Sequence, residues 1–376
     1  MNIPNSFSDL YQKTALEPSL SRFVEICTSI LEKDRTVFFP YYTDHSINHV
    51  QGVLETIEKL IPEEVFNKDI LTAGDAAVIV ASAYLHDLAM HLQPQGFIDL
   101  VVGKTNHQAL PHFDSRSSVV FVDLDWSALW EEYIREARNW SDEKLVSIFG
   151  RADHQIDQLV QNEFPLMHPN IWVQDHKCFI GEFIRRHHGR LAHEIAYFGF
   201  PGLDNRDYPP VSELFSADYT ELIGLTARSH TLGLRSCIAH IERVYRQRFR
   251  INDVALIFII CLIRIADFLQ LESSRAPLIL MHLNKPNSPI SRQEWNKHNA
   301  IECINWDHEN PFGIKIELKR PAVFRSGRGQ KFECHSSETH AAVVELIDSL
   351  EKEMEISTTV LQETYGYHPK LNIIKI

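Results

Sequence analysis

The length and composition of the chain are those of a folded globular protein. Its 376 residues, of which 44% are apolar and 10% aromatic, can bury a large core and do not have the composition of a disordered chain. A net charge of −13 and a pI near 5.8 argue against broad electrostatic binding of nucleic acid, which needs an excess of Lys and Arg.

Secretion, membrane insertion and disulfide crosslinking are not indicated either. The first ten residues lack the basic and apolar blocks of a secretory signal, and the longest apolar run, 254–263, is too short to span a bilayer. The six cysteines include no C-x-x-C pair, so neither a zinc knuckle nor a disulfide framework is expected. We therefore expect a cytoplasmic protein without a membrane partner.

Apolar residues recur at three- and four-residue spacing from Glu17 to about Gln270, which predicts a succession of helices. The clearest of these patterns cover Val50–Leu60, Leu71–Leu92, Ser127–Trp140, His176–Phe198 and Asn252–Leu271. An insertion at about 92–173 interrupts the series with a polar loop at 104–118 and a short predicted helix at Asp142–Phe149.

The pattern changes in the last quarter of the chain. Ile301–Trp306 and Gly313–Leu318 alternate in the manner of strands, and a long final helix is predicted from near Ser336 to about Glu363. These patterns predict a mainly α fold, with a helical domain at 1–276 and a small α+β region at 277–376.

Several His and Asp residues occupy apolar surroundings in the predicted helices. Burying such groups without partners would cost several kcal/mol each, so we expect them to satisfy one another or a cation. Histidine is the commonest metal ligand in proteins, which makes a shared metal site the simplest interpretation. The residues concerned are His49, His86, Asp87, His187, His188, His230 and Asp267.

The most specific signal is the His86-Asp87 doublet at the end of an apolar helix. Neutral imidazole and carboxylate suit zinc, manganese or iron, and a carboxylate can bridge two ions. His49 opens a helix upstream, and Asp267 places one carboxylate on a strongly apolar helix far downstream. A common site requires Asp267 within ~7 Å of the doublet, since ligand bonds are near 2 Å.

At these residues the sequence resembles the HD superfamily of metal-dependent phosphohydrolases, in which a His, a His-Asp doublet and a late Asp follow in that order. The resemblance covers about 40–275 and implies an HD-type helical domain. It also implies that His49, His86, Asp87 and Asp267 hold a first metal ion.

The histidines between the doublet and Asp267 resemble those of the subset of this superfamily that binds two metals. In that subset the Asp of the doublet bridges the ions. The resemblance therefore implies a second ion held by Asp87, by His230 and by either His187 or His188, with His188 preferred. The implied cofactor is one or two divalent ions of Zn, Mn, Fe or Mg.

The activity that the resemblance implies is hydrolysis of a phosphoester or phosphoanhydride bond by a metal-bound hydroxide, with His86 and Asp87 at its centre. The expected substrate is small and phosphorylated or nucleotide-like, and the lack of a Gly-Tyr-Pro signature disfavours cyclic dinucleotides. Arginines near the ligands would bind the phosphate bidentately. They are Arg185, Arg186, Arg190 and Arg275.

Each candidate ligand also has a simpler interpretation. His45 competes for the role of the first histidine, and Asp267 could pair with Arg264, three residues earlier on its helix. The 187–188 pair lies among arginines and fits a solvated basic helix face as well. His230 fits a buried histidine whose hydrogen bonds are satisfied by the core.

Two other classes of function stay open beside the enzyme. One is a nucleotide sensor of the HD type that keeps its metal ligands and signals to a partner protein without turnover. The other is a structural protein in which the histidines pack the core. The insertion and the C-terminal region are the parts expected to set substrate choice, self-association or partner binding.

Overall fold

The computed structural model describes residues 3–32, 36–39, 43, 45–67, 70–107, 124–152, 156–160, 169–271, 289–306, 313–318, 323–325, 331–333, 337–366 and 372–375. Within these ranges no helix combines the length and the apolar character needed to cross a bilayer. The chain divides into two compact units, the first formed by 1–40 with 45–264 and the second by 41–44 with 265–376.

Helices make up the described part of the first unit, and the last of them runs four residues past its boundary. They are α1 (Asn5–Tyr11), α2 (Glu17–Glu32), α3 (Ile47–Leu60), α4 (Glu63–Asn67), α5 (Ala73–Leu85), α6 (Pro94–Val101), α7 (Trp126–Ala137), α8 (Asp142–Phe149), α9 (Ile156–Leu159), α10 (Gln174–Phe198), α11 (Val211–Leu214), α12 (Ala217–Ser229), α13 (Leu234–Tyr245) and α14 (Leu256–Phe268). Short 3-10 helices cover Leu88–His91 and Pro169–Ile171.

Helix α5 lies in the core of this unit. Every residue from Gly74 to Leu85 is buried, which explains its nearly uniform apolar sequence. Its first turn is closed by a capping box, in which the Thr72 hydroxyl accepts from the Asp75 amide and the Asp75 carboxylate accepts from the Thr72 amide. Helices α1, α2, α3 and α12 pack against α5, and α10 packs along α12.

Two helices are shorter by seven residues or more than their apolar patterns predict. The pattern at Leu71–Leu92 continues beyond α5 because the following 3-10 helix is buried as well, while the backbone leaves the α-helix at the His86-Asp87 doublet. Helix α14 begins at Leu256 and not at Asn252, because Asn252 and Asp253 adopt positive φ angles of 47° and 64° in a turn.

The second unit combines helices with small sheets. Helix α15 (Pro289–Ala300) packs against the 29-residue helix α16 (Ser337–Tyr365). Strand β2 (Gly313–Leu318) pairs antiparallel with β1 (Ile301–Trp306) and parallel with β5 (Asn372–Lys375), and β3 (Val323–Arg325) pairs with β4 (Lys331–Glu333). A β-bulge shifts the register between Ile301 and Cys303.

The predicted fold class, mainly α with a small C-terminal α+β region, is confirmed by this architecture. Both predicted strands have the bounds that the sequence indicated, and the short helix at Asp142–Phe149 is also present. The domain boundary predicted at 276/277 and most of the predicted polar loop at 104–118 lie outside the described residues, so they stay predictions.

Candidate metal centre

The candidate ligands sit where helices begin or end, apart from one on the long helix α10. His49 occupies the first turn of α3, behind the N-cap Ser46, whose hydroxyl accepts from the Asn48 amide. His86 is the C-cap of α5, and His230 is the C-cap of α12. Local sequence therefore fixes the direction from which each side chain approaches.

The first group consists of His49, His86, Asp87 and Asp267, each of which offers one ligand atom within 4.8 Å of the others. The Nε2 atoms of His49 and His86 are 3.2 Å apart, and they lie 3.3 and 3.2 Å from Asp87 Oδ2. Asp267 belongs to the last turn of α14, a helix that runs unbroken from Leu256. The distance that the sequence required of Asp267 is therefore met.

The second group consists of Asp87, His188 and His230, again with ligand atoms within 4.8 Å of one another. The two Nε2 atoms are 2.7 Å apart. His188 Nε2 lies 3.5 Å and His230 Nε2 lies 3.7 Å from Asp87 Oδ1. Ligands bound about 2.1 Å from one ion lie roughly 3 Å from each other, so both groups could hold a divalent metal ion.

The Asp87 carboxylate connects the two groups, because each of its oxygens faces a different one. Oδ2 faces His49 and His86, and Oδ1 faces His188 and His230. A carboxylate placed in this way could bridge two cations.

Three of the histidines are oriented by their own helices. The Nδ1 atoms of His86, His188 and His230 lie 2.8, 2.7 and 2.6 Å from the carbonyl oxygen three residues earlier. A carbonyl can only accept, so each Nδ1 carries a hydrogen, and in the neutral ring Nε2 presents a lone pair to the site. The 2.7 Å separation of the His188 and His230 Nε2 atoms then requires a proton or a cation between them.

The electrostatics of the centre favour an ionised Asp87. Burial alone would raise the pKa of its carboxyl, but the charge that His86 carries in its protonated form and hydrogen bonds from His49 and from protonated His86 outweigh burial, and the pKa lies well below its usual range. His45 adds to this effect, with its Nε2 3.8 Å from Asp87 Oδ2. An anionic carboxylate among imidazoles is the form that binds metals.

Close contact of α10 and α12 brings His188 to His230, and glycine permits it. A Cβ added at Gly189 would lie 2.3 Å from Thr231 Oγ1 and 2.7 Å from Thr231 Cγ2. Each of these residues directly follows a candidate ligand in the sequence. A side chain at Gly189 would therefore separate the two helices at the site.

Among the described residues, His187 belongs to neither of the two ligand groups. Its ring packs 4.8 Å from the Phe183 ring and 6.0 Å from the Trp126 ring, centroid to centroid. Burial, together with the charges of Arg190 and Arg186, lowers its pKa to about 4. Of the two neighbouring histidines, His188 is the one that the structure brings to Asp87.

The arginines predicted to bind substrate form ion pairs within the protein. Arg185 contacts Glu182 with Nε and Nη2 at 2.8 and 3.0 Å, and Arg186 contacts the same carboxylate at 3.2 Å. Arg190 Nε donates to Glu194 at 2.6 Å. Arg275 lies outside the described residues. These contacts are structural, and a role for the arginines with a substrate stays a prediction.

Sequence reasoning missed two features around the centre. His91 is buried and its Nε2 lies 2.9 Å from the backbone oxygen of His45, which helps to fix the loop before α3. Arg264, considered only as a partner of Asp267, donates from Nη1 to the backbone oxygens of Ser229 and Leu232. The apolar neighbours of Arg264 in α14 were the signal that this cation is buried.

Comparison with known proteins identifies a family by sequence. No curated protein and no solved structure matches the chain. The model of the family described as HD-CE matches residues 39–354, which is most of the sequence and includes every residue of the two ligand groups. The chain therefore belongs to the HD-CE family.

Proposed function

We propose that this protein is a metal-dependent phosphohydrolase of the HD type, which cleaves a phosphoester or phosphoanhydride bond of a nucleotide-like substrate. The observation that carries the proposal is the Asp87 carboxylate, whose two oxygens face two separate histidine groups. A structural cluster of histidines would not need a carboxylate shared in this way.

The donors fit a pair of divalent ions. His49, His86 and Asp267 would hold one ion, His188 and His230 would hold the other, and Asp87 would bridge them. Imidazole nitrogen with carboxylate oxygen suits Zn, Mn or Fe better than Mg or Ca, which prefer oxygen alone. The pair of facing Nε2 atoms supports the same assignment, because a cation relieves the repulsion of their lone pairs.

Charge explains why an acidic protein would attract a phosphate here. Two divalent ions bring four positive charges, and the carboxylates of Asp87 and Asp267 remove two of them. The loaded centre would thus carry a net positive charge despite the −13 of the whole chain. When bound, such ions lower the pKa of a coordinated water towards ~7 and neutralise phosphate oxygens.

The protein's own residues would fix the geometry of this chemistry. The Nδ1 anchors of His86, His188 and His230 hold each ring with Nε2 towards the site, so the ligands need little reorganisation. The bridging Asp87 would set the separation of the two binding positions. Although it is buried, the neighbouring imidazoles hold its pKa low, which keeps the carboxylate ionised at neutral pH.

Metal analysis and a phosphate-release screen test the proposal. Protein purified without chelator should hold two ions per chain and release phosphate from at least one nucleotide. His188→Gln should lose the second ion, and Asp87→Asn should lose at least one ion together with activity. His187→Gln is the matched control, because its neighbouring imidazole lies outside both groups, and it should keep both ions.

Three results would count against the proposal in different ways. Protein without metal after incubation in Zn²⁺ or Mn²⁺ would refute the metal centre. Bound metal without turnover of any nucleotide would favour the sensor. Loss of stability in Asp87→Ala with unchanged metal content would favour a structural role.

A further inference from the structure

The backbone turn that ends helix α12 is held by a buried arginine from α14. Arg264 is 6% exposed, and its Nη1 donates to the backbone oxygens of Ser229 and Leu232, at 2.5 Å in the second case. His230 lies between these two carbonyls in the sequence. We propose that Arg264 is a positioning residue that holds His230 in place for the second metal ion, an inference that rests on the proposed function.

The end of a helix needs such a partner. The last four carbonyls of an α-helix have no intrahelical donor, so other groups must satisfy them when they are buried. Here the turn closes on itself, with the Thr231 amide 3.2 Å from Arg228 O and the Leu232 amide 3.1 Å from Ser229 O. Arg264 contacts this turn from a different helix, α14. The contact therefore fixes the turn relative to α14 as well as relative to α12.

The position of the turn determines where the His230 ring reaches. His230 Nδ1 lies 2.6 Å from Ala227 O, so the ring moves with the end of its helix. Its Nε2 lies 2.7 Å from His188 Nε2 and 3.7 Å from Asp87 Oδ1. A displacement of the helix end by even 1 Å would therefore break the donor spacing of the second group, since ligand bonds tolerate about 0.2 Å.

The contact also explains why this residue is an arginine. A buried cation is costly unless it is hydrogen-bonded, and the two carbonyls supply part of that compensation. Both hydrogen bonds leave from Nη1, which lies one bond farther from the backbone than the Nζ of a lysine and has its N–H groups fixed in the guanidinium plane, so a lysine would reach the two oxygens with different geometry. Arg264→Lys should thus keep the charge and lose the fixed position of the turn.

The test compares the two ions within one protein. We expect Arg264→Lys to bind the first Mn²⁺ ion with unchanged affinity and the second at least ten-fold more weakly, in the range of about 10- to 100-fold that residues behind metal ligands contribute. Equilibrium dialysis with elemental analysis gives both affinities. Arg264→Met, which removes the charge, should show the same selectivity.

Arg250→Lys is the matched control. Arg250 is also a partly buried arginine, 2.5 Å from Asp75 Oδ2 at the beginning of α5, the end opposite to His86. This variant should lose stability and keep both metal affinities. If Arg264→Lys behaves like Arg250→Lys, the arginine has only a structural role, and the proposed function stands. If the wild-type protein binds no Mn²⁺, the proposed function itself fails.

Hydrogen exchange of the wild-type protein tests the inference without any variant. If Arg264 fixes the turn, the amides of Thr231 and Leu232 should be protected from exchange in metal-free protein. Their exchange rates should then change less than two-fold on loading with Mn²⁺. Fast exchange that slows only when metal is added would show that the ion orders the turn, and would overturn the inference.

Discussion

Replacing Gly189 by alanine probes the close approach of α10 and α12. The new Cβ would lie 2.3 Å from Thr231 Oγ1, whereas ordinary contact begins at 3.4 Å, so atoms must move by about 1.1 Å. Rotation of the Thr231 side chain gives little relief, because Cγ2 is also only 2.7 Å away and the Oγ1 hydroxyl donates a hydrogen bond to Arg228 O at 3.0 Å. Overpacking of this kind costs about 1–3 kcal/mol.

Helix propensity partly hides this cost in the single variant. Alanine stabilises a helix interior by about 1 kcal/mol relative to glycine, so Gly189→Ala alone should destabilise the protein by only ~0–2 kcal/mol. The gain is the same in the Gly189→Ala, Thr231→Ala double variant, where the two closest atoms are gone and only Thr231 Cβ, at 3.1 Å, stays near the new Cβ. A double-mutant cycle therefore isolates the clash, and we expect a coupling energy of about 1–2 kcal/mol.

Urea unfolding of the four proteins of the cycle measures that coupling, and metal analysis measures its consequence at the site. The second ion should bind more weakly in Gly189→Ala and recover in the double variant. Gly181→Ala is the control, because Gly181 lies on the same helix as Gly189 but two turns from His188. Its new Cβ would lie 2.6 Å from Phe38 O, so this variant also creates a close contact. A coupling energy below about 0.3 kcal/mol would refute the steric reasoning.

Two further predictions concern pH and metal removal. Burial would raise the pKa of Glu182, but hydrogen bonds and charges of Arg185 and Lys144 lower it from 4.5 to about 2. A carboxyl whose pKa is lower in the folded than in the unfolded protein stabilises the fold at pH values above its unfolded pKa. The stability advantage of wild type over Glu182→Gln, on the order of 2 kcal/mol at pH 7, should therefore shrink in urea unfolding as the pH falls from 5 to 2. A gap that is constant over this pH range would contradict the assignment. Dialysis against EDTA should lower the Tm, because a ligand present at 100 times its Kd stabilises the folded protein by about 2.7 kcal/mol. Scanning calorimetry before and after adding back Mn²⁺ measures this change. An unchanged Tm in wild type would exclude a metal site in the folded protein.

Sequence periodicity predicted the elements better than their ends. The bounds of β1 and β2 were found because alternation stops where the strands stop. The end of α5 was placed too late, since burial makes the following 3-10 helix as apolar as the α-helix itself. Burial and helicity are different properties, and an apolar run reports only the first.

The candidate ligands could be found in the sequence, and the resemblance favoured His188 over His187, but the residue pattern itself could not decide between these two neighbours. His187 and His188 are adjacent on α10 and point about 100° apart, so only the packing against α12 decides which one meets Asp87. The strength of the ion pair between Arg185 and Glu182 could not be predicted from the sequence either. Its i,i+3 spacing was visible, yet the burial of Glu182 that makes the pairing strong depends on tertiary structure.

Three helices end at the centre, and this has an electrostatic consequence. His86 and His230 are C-caps of α5 and α12, and Asp267 lies in the last turn of α14. The aligned peptide dipoles leave about half a negative charge at each C-terminus. Without bound ions this centre would therefore repel a phosphate and attract a cation, which predicts a compulsory order of binding in which the metal ions precede the substrate.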